Sequence, residues 1–382
     1  MKFSAMHRRI KLPFLVGFLA LLTTLLVVAG CTSPPPPKAD ISNPAPQSSA
    51  FAALPIRNEY VGSAACTECH PNETKTHAAS GHANTLHSMS RKSLGKMAPP
   101  EGAIPGMEYA IQTQGDVMGL AIQGHPEQGV YPIQLAFGSG ATGITFASVE
   151  SPTRLAEMRK SYFPSIRKWH ITPGQESMKD KRMGRMNEGD FPRRCVLCHA
   201  VAVTEDSIVP EQKFMGVGCE SCHGAGSAHI NAIRTGNGGD LHIEPLKQAT
   251  GERINEMCGQ CHMTEKLVTE MNMPRDSTGR FQPYGLAMSQ CFKQSAGKLT
   301  CITCHNPHEE VSRDTKKYEA LCIQCHSTSA KPAVARPTVK TCPVNAKSGC
   351  VKCHMPPQKT FKGTQLPIYM PDHYIRVHRE KR

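Results

Sequence analysis

The motif Cys-x-x-Cys-His occurs seven times in this sequence. Two thiols three positions apart can add to the two vinyl groups of one haem, and the next His is then held beneath the iron as its proximal ligand. We number the motifs, and the sites they would form, 1–7 in chain order. They consist of Cys66, Cys69 and His70; Cys195, Cys198 and His199; Cys219, Cys222 and His223; Cys258, Cys261 and His262; Cys301, Cys304 and His305; Cys322, Cys325 and His326; and Cys350, Cys353 and His354.

Paired cysteines also occur as zinc ligands, as disulfides and as thioredoxin-like redox pairs. None of these uses requires a His directly after the second Cys, and all seven motifs have one. The sequence therefore predicts seven covalently attached haem c groups as cofactors.

Histidines outside the motifs are candidate ligands for the opposite face of each iron. His308 follows His305 by three residues and His229 follows His223 by six, so neither linker can pass around a porphyrin. Each would therefore bind the iron of a neighbouring haem and hold the two haems close together. With His82 and His373 they form the predicted distal set, and we expect at least six irons to carry two His ligands.

Composition indicates that side chains alone do not fill the interior. Only 5% of the residues are aromatic and Trp169 is the only Trp, whereas six motifs share the range 193–376. So short a stretch of chain per motif cannot bury an ordinary core. We expect the haems themselves to form that core, wrapped in short helices and irregular loops.

His199 follows His70 by 129 positions, whereas later motifs follow at intervals of 21 to 43 positions. Within it, 109–114 and 130–137 have the composition of strands and are bounded by Gly. We expect a small β-rich, haem-free insert with a helical tail, serving as a scaffold over the first haem or as a docking surface. The predicted division of the chain is 1–30, 31–58, 59–96, 97–191 and 192–382, the last being the six-haem domain.

The first two of these segments precede the folded body. Basic residues of 2–11 are followed by an apolar run from Leu12 to Val28 and then by Cys31, a pattern that resembles a bacterial lipoprotein signal peptide. We expect acylation of Cys31, an exported protein on the periplasmic or cell-surface side, and a Pro- and Ser-rich tether over 32–58. An uncleaved transmembrane anchor is the alternative, although the apolar run is short for one.

The formal net charge of +13 would ordinarily suggest nucleic acid or an anionic membrane as partner. Removing the four basic residues of 1–30 lowers it to +9. Seven ferric haems with their propionates would bring it to about +2. We therefore expect no nucleic-acid partner.

Two cysteines remain after the motifs and Cys31 are set aside, namely Cys291 and Cys342. In an oxidising compartment leftover thiols usually pair, so we predict a disulfide between them, with two free thiols as the alternative. A Cα–Cα distance above about 7 Å would exclude this bridge.

Several stretches resemble the cytochrome c-552/c-554-type multihaem family: 60–66 with the first motif, 217–224, 304–308 and 353–356. The resemblance implies a mainly α and irregular fold with c-type haems in stacked pairs, mostly bis-His ligation and electron transfer. In some relatives one haem lacks a distal ligand and reacts with small nitrogen or sulfur species.

An electron carrier is therefore the expected function, working between a donor, such as another cytochrome or a membrane quinol oxidase, and a terminal acceptor. The alternative is an oxidoreductase that acts on a nitrogen or sulfur species at an open iron. The two differ in whether one iron has a vacant distal position.

Overall fold

We used a computed structural model, which describes residues 59–378 except 179–182, 237–238, 274, 276–278, 327–340, 363 and 365. The proposed signal peptide, Cys31 and the tether lie outside the described residues. None of the helices formed by the described residues is long and apolar enough to cross a membrane.

Strands dominate the stretch between the first two motifs, and all the strand pairs formed by the described residues are antiparallel. The strands are β1 (Leu86–Ser88), β2 (Gly102–Ala103), β3 (Tyr109–Gln114), β4 (Val117–Ile122), β5 (Val130–Pro132), β6 (Leu135–Phe137), β7 (Thr145–Ser151), β8 (Arg154–Met158), β9 (Lys160–Phe163), β10 (Lys168–Ile171) and β11 (Gly184–Glu188). They form a five-stranded sheet in the order β1-β6-β7-β8-β11, a four-stranded sheet in the order β2-β3-β4-β5, and the hairpin β9-β10.

The β-rich insert is therefore present, but its expected helical tail is wrong. From 130 to 188 the described residues form strands and no helix. The stretch 154–158 is rich in helix-forming Leu, Ala, Glu and Met, yet it pairs on both sides, with β7 and β11. Cross-strand pairing and burial here outweigh local helix preference.

The first hydrophobic core lies within this β-rich region. Leu120 from the four-stranded sheet and Phe146 from the five-stranded sheet are both fully buried in one apolar cluster. Trp169 packs against this cluster, with ring centroids 5.6 Å from Phe146 and 5.3 Å from Tyr162. The β-rich region thus has a conventional core of apolar side chains, although the chain as a whole is poor in aromatic residues.

A second apolar cluster joins the five-stranded sheet to the second motif. Leu135 and Leu155 of the sheet pack with Val196 and Ala200, which flank Cys198 and His199. Val196 lies in helix α3 (Phe191–Leu197), which contacts β11. The sheet therefore acts as a platform that fixes the second motif.

The remainder of the described chain is mostly short helices. Two helices precede α3, namely α1 (Pro71–Ala78) and α2 (Arg91–Leu94). Those that follow it are α4 (Glu220–His223), α5 (Ser227–Arg234), α6 (Gly251–His262), α7 (Glu265–Glu270), α8 (Gln282–Met288), α9 (Gln290–Gln294), α10 (Cys301–Cys304), α11 (Thr315–His326) and α12 (Cys350–His354). A last hairpin pairs β12 (Pro357–Lys359) with β13 (Tyr369–Pro371).

Leu120→Ala should lower the free energy of unfolding of the β-rich region by about 2–5 kcal/mol, because it leaves a cavity in a fully buried position. Denaturant unfolding followed by Trp169 fluorescence measures this. Val117→Ala is the control from the same strand, where the side chain is 60% exposed and the change should stay within about 0.5 kcal/mol. Equal effects of the two variants would contradict the placement of this core.

Candidate haem sites

Most motifs overlap a short helix, and the helix places the two thiols of the motif on the same side. Positions i and i+3 of a helix lie on one face, so Cys258 and Cys261 at the end of α6 project to the same side, with His262 directly after them. The start of α6 is fixed by Thr250, whose side chain accepts a hydrogen bond from the Arg253 amide at 3.2 Å. Motifs 3, 5, 6 and 7 use α4, α10, α11 and α12 in the same way.

Three proximal histidines each face a second imidazole from a distant part of the chain. The ring centroids are 6.0 Å apart for His262 and His82, 6.1 Å for His223 and His308, and 6.3 Å for His305 and His373. Imidazole nitrogens bind a metal ion at about 2.0–2.1 Å, so rings on opposite sides of one ion have centroids about 6 Å apart. The three pairs thus have the spacing that a shared iron between them requires.

The other ring nitrogen of several of these histidines is held by an oxygen atom. His82 Nδ1 lies 3.4 Å from the Pro307 carbonyl and His373 Nδ1 lies 3.0 Å from the Pro371 carbonyl. His262 Nδ1 lies 3.3 Å from Gln282 Oε1. Because a carbonyl only accepts, Nδ1 of His82 and His373 carries the hydrogen, which leaves the Nε2 lone pair for a metal.

Burial also favours the neutral form of these imidazole rings, which is the form that binds a metal ion. It lowers the pKa of His262 and of His305, and it lowers the pKa of His373 to about 4. Burial likewise lowers the pKa of His223, with a further effect from neighbouring His308. A neutral imidazole is required for metal ligation, so near pH 7 these rings need not lose a proton to bind iron.

The position of His82 depends on a close approach between the chain segment 82–83 and the chain segment 216–217, which leads into motif 3. The amide of Val217 donates to the carbonyl of His82 at 2.9 Å, and the preceding Gly216 amide donates to the carbonyl of His199 at 3.0 Å. Gly216 has φ 85°, and a Cβ there would lie 2.1 Å from the Ala83 carbonyl oxygen. Only glycine fits this contact, which holds His82 in place opposite His262.

The predicted ligand His308 lies where the short-linker argument puts it. Its ring is parallel to that of His223, with an interplanar angle of 6°, while His305 three residues earlier faces His373. The loop therefore brings sites 3 and 5 together. The assignment of His82, His308 and His373 as iron ligands stays a prediction, which this geometry supports.

His229, the fourth predicted distal ligand, lies on α5 with its Nδ1 2.8 Å from the Leu241 carbonyl. The helix α5 faces the first motif across a cavity of about 380 Å³, lined by Ala65 and Glu68 on one side and Ile230 and Arg234 on the other. The structure therefore places His229 on the helix next to site 1, and its ligation also stays a prediction.

Three proximal histidines lack such a facing ring. Within the described part of the chain, no second imidazole is in ring contact with His70, His199 or His354. His199 is instead met edge-on by the Phe137 ring at 5.1 Å, and its Nδ1 lies 3.0 Å from the Thr85 carbonyl. Burial lowers the pKa of His199. Site 2 is thus a buried, partly apolar environment beside the five-stranded sheet.

Two histidines outside the motifs and outside the predicted distal set, His77 and His87, are buried. His87 is 6% exposed, and its Nε2 lies 2.9 Å from the Asn84 carbonyl, so that nitrogen is engaged within the protein. His77 on α1 is 8% exposed, and its pKa is lowered by burial and then by neighbouring His82 and His308. The burial of His77 beside two candidate ligands could not be read from the sequence, since α1 has no apolar pattern that points to it.

Thiols of different motifs lie close together, and this shows which motifs are neighbours. The thiols of each pair shift one another's pKa; the pairs are Cys66 with Cys219, Cys198 with Cys261, and Cys258 with Cys301. Motif 1 is thus adjacent to motif 3, and motif 4 is adjacent to motifs 2 and 5.

Glu220, inside the third motif, is a buried carboxylate that sequence reasoning missed. It is 4% exposed and accepts hydrogen bonds from the amides of Val61 at 3.0 Å, Gly62 at 2.7 Å and Gly226 at 2.7 Å. Hydrogen bonds to a carboxylate are about twice as strong as neutral ones. Glu220 therefore attaches the segment before the first motif to the third motif.

Neither Cys291 nor Cys342 is bonded to another sulfur. Burial raises the pKa of Cys291, which lies near Cys325 of motif 6. Cys342 lies near Cys350 of motif 7 and accepts a hydrogen bond from the Asn345 amide at 3.5 Å. The disulfide between them stays a prediction.

Two family models match this chain. Residues 159–224, which include motifs 2 and 3, match Cytochrome c554 and c-prime, and residues 294–331, which include motifs 5 and 6, match the doubled CXXCH motif. Together with the seven motifs of the sequence, these matches to parts of the chain support a multihaem c-type cytochrome that binds haem c.

Two solved structures are similar to the chain, each at 16% identity. The Outer Cell Wall Cytochrome OcwA has a TM-score of 0.49, and the alignment covers 84% of this chain and 80% of that one. An undecahaem cytochrome from the S-layer of Carboxydothermus ferrireducens has a TM-score of 0.44, with 86% and 53% covered. None of the curated protein sequences matches the chain significantly.

His308→Ala should open one iron, because His308 is the ring that faces His223. The reduced variant should bind carbon monoxide at about one haem equivalent more than the parent, measured by difference absorbance. His125→Ala is the control, since that exposed ring pairs only with Glu127 at 3.1 Å. If neither variant gains carbon monoxide binding, His308 is not a ligand.

Proposed function

We propose that this multihaem c-type cytochrome is a seven-haem electron carrier whose irons are mainly held between two histidines. The observation that carries the proposal is the set of three imidazole pairs spaced 6.0, 6.1 and 6.3 Å apart. A bound haem supplies an iron that takes up and gives back one electron. The protein supplies the thiols that attach it and the imidazoles that fill its two axial positions.

Filled axial positions favour electron exchange over catalysis. If both histidines of each pair held the iron, they would leave it no place for a substrate, and the bound haem would serve electron exchange alone. The contacts between thiols of motifs 1 and 3, 2 and 4, and 4 and 5 support close spacing of those haems. In this proposal the stacked haems also form the interior of the six-haem region, where apolar clusters of the described side chains are small.

The proposal includes the surroundings of the protein. Electrons would arrive from another cytochrome or a membrane quinol oxidase and leave to a terminal acceptor. A lipid on Cys31 would hold the body outside the cytoplasm on the tether of 32–58. These parts rest on the lipobox-like sequence and on the resemblance to multihaem carriers.

A second function is favoured by one observation. His70, His199 and His354 have no facing imidazole among the described residues, so one of these sites could keep an open axial position. An iron of that kind could oxidise or reduce a small nitrogen or sulfur species. Of the three, the site at His199 is the most secluded, because burial and Phe137 surround its ring.

Haem content and carbon monoxide binding separate the two functions. Intact mass should exceed that of the processed apoprotein by seven haems, because all seven motifs are complete. Carbon monoxide added to the reduced protein should change only a minor fraction of the absorbance if the protein is a carrier. Binding of one full equivalent or more would favour the enzyme, and a mass gain of five haems or fewer would disprove full use of the motifs.

Acylation of Cys31 is tested by Cys31→Ser. The parent protein should partition into detergent and the variant should not, because a lipid chain would be the only strong attachment. The haem spectrum is the control and should be the same in both. Partitioning that survives the substitution would indicate an uncleaved apolar helix instead.

A further inference from the structure

The segment that follows β13 contains a carboxylate that is buried without being a metal ligand. Asp372 is 0% exposed and directly precedes His373, the ring that faces His305. A buried charge is costly unless it is hydrogen-bonded and paired, so this position needs a specific reason for its charge.

Three donors converge on this carboxylate. Oδ2 accepts hydrogen bonds from Gln358 Nε2 at 2.6 Å and from Arg376 Nη1 at 2.8 Å, while Oδ1 accepts from the Tyr374 amide at 2.9 Å. The amide of Asp372 itself donates to the Pro356 carbonyl at 3.2 Å. The carboxylate thus fixes the turn 372–376 against the strand β12.

One end of this turn holds the candidate ligand of site 5. Ser289, also fully buried, donates from Oγ to the His373 carbonyl at 3.2 Å and accepts from the Ile375 amide at 2.8 Å. The Nδ1 of His373 lies 3.0 Å from the Pro371 carbonyl. The backbone and the ring of His373 are therefore both held in place. The same turn thus sets the orientation of the ring toward His305.

The other end of the turn reaches site 7. The carbonyl of Arg376 lies 3.0 Å from Nδ1 of His354, the proximal histidine of the seventh motif. The side chain of the same Arg376 is the one bound by Asp372. A carbonyl on Nδ1 fixes the tautomer of a ligating histidine and makes it a stronger electron donor to the metal.

We propose that Asp372 is a positioning residue for two iron sites at once, because its carboxylate holds the turn that presents His373 to site 5 and the Arg376 carbonyl to the His354 of site 7. The inference rests on the proposed ligation of iron by His305, His354 and His373. It adds that sites 5 and 7 respond together to a change at a residue that touches neither iron.

Asp372→Asn tests this with almost no change in size. Two donors approach Oδ2 and one approaches Oδ1, so either orientation of the amide places its NH₂ group against a donor. The turn should loosen, and the reduced variant should bind about one haem equivalent more carbon monoxide than the parent. One further haem should show a more positive reduction potential in a spectroelectrochemical titration, because His354 loses its carbonyl.

His373→Ala and Asp314→Asn are the matched controls. The first should gain one equivalent of carbon monoxide by direct loss of the ligand. The second changes an exposed carboxylate that accepts only locally, from the Lys316 amide at 3.0 Å, and should leave both readouts unchanged. A gain for His373→Ala without any change for Asp372→Asn would overturn the positioning role and leave the ligation intact. No gain for His373→Ala would overturn the ligation itself.

Arg376→Ala gives a second test if Asp372→Asn does not take up its haems. Its side chain is 34% exposed, so truncation is better tolerated than a change at Asp372. The Tyr374 and Ser289 contacts to the turn remain, so carbon monoxide binding should stay at the parent level while one potential rises. A titration identical to that of the parent would overturn the link to site 7.

Discussion

The constraint on which the rest of the structure depends comes from the proposed two-histidine ligation, because a Cys-x-x-Cys-His motif supplies only one imidazole for its iron. The second must come from elsewhere and arrive about 6 Å from the first. His82 and His262 meet this spacing although 180 residues separate them in the chain. Long-range pairs of this kind organise the region of short helices, whereas the β-rich region has an apolar core around Leu120 and Phe146.

The loop after the fifth motif shows how closely the sites are joined. Within six residues, His305 faces His373, the Pro307 carbonyl lies against His82, His308 faces His223, and Glu310 accepts a hydrogen bond from the Gly81 amide at 2.7 Å. Sites 3, 4 and 5 therefore share one piece of backbone. In the proposed carrier, the covalent geometry of this short loop would set the separation of three haems without a large apolar interface.

Local spacing carries the predictions that the comparisons support, because the motifs follow from spacing alone. Ligation by His308 follows from a three-residue linker that cannot span a porphyrin, and it stays a prediction. The pairing of His82 with His262 could not be predicted, because no local rule relates residues so far apart. The helical tail was wrong for a similar reason: Leu155 and Met158 belong to a stretch that favours helix locally but is paired on both sides in a sheet. The roles of Asp372 and Glu220 could not be predicted either, since only the fold brings together the hydrogen-bond donors that surround each carboxylate.

The contact of Glu220 with the amides of Val61 and Gly62 has a consequence for the timing of assembly. The partners are separated by 159 and 158 residues. Until the chain is present as far as Glu220, the amides of Val61 and Gly62 have no carboxylate to bind. The segment before the first motif can therefore close onto the third motif only after 158 further residues are in place, and Cys66 and Cys69 stay accessible up to that point.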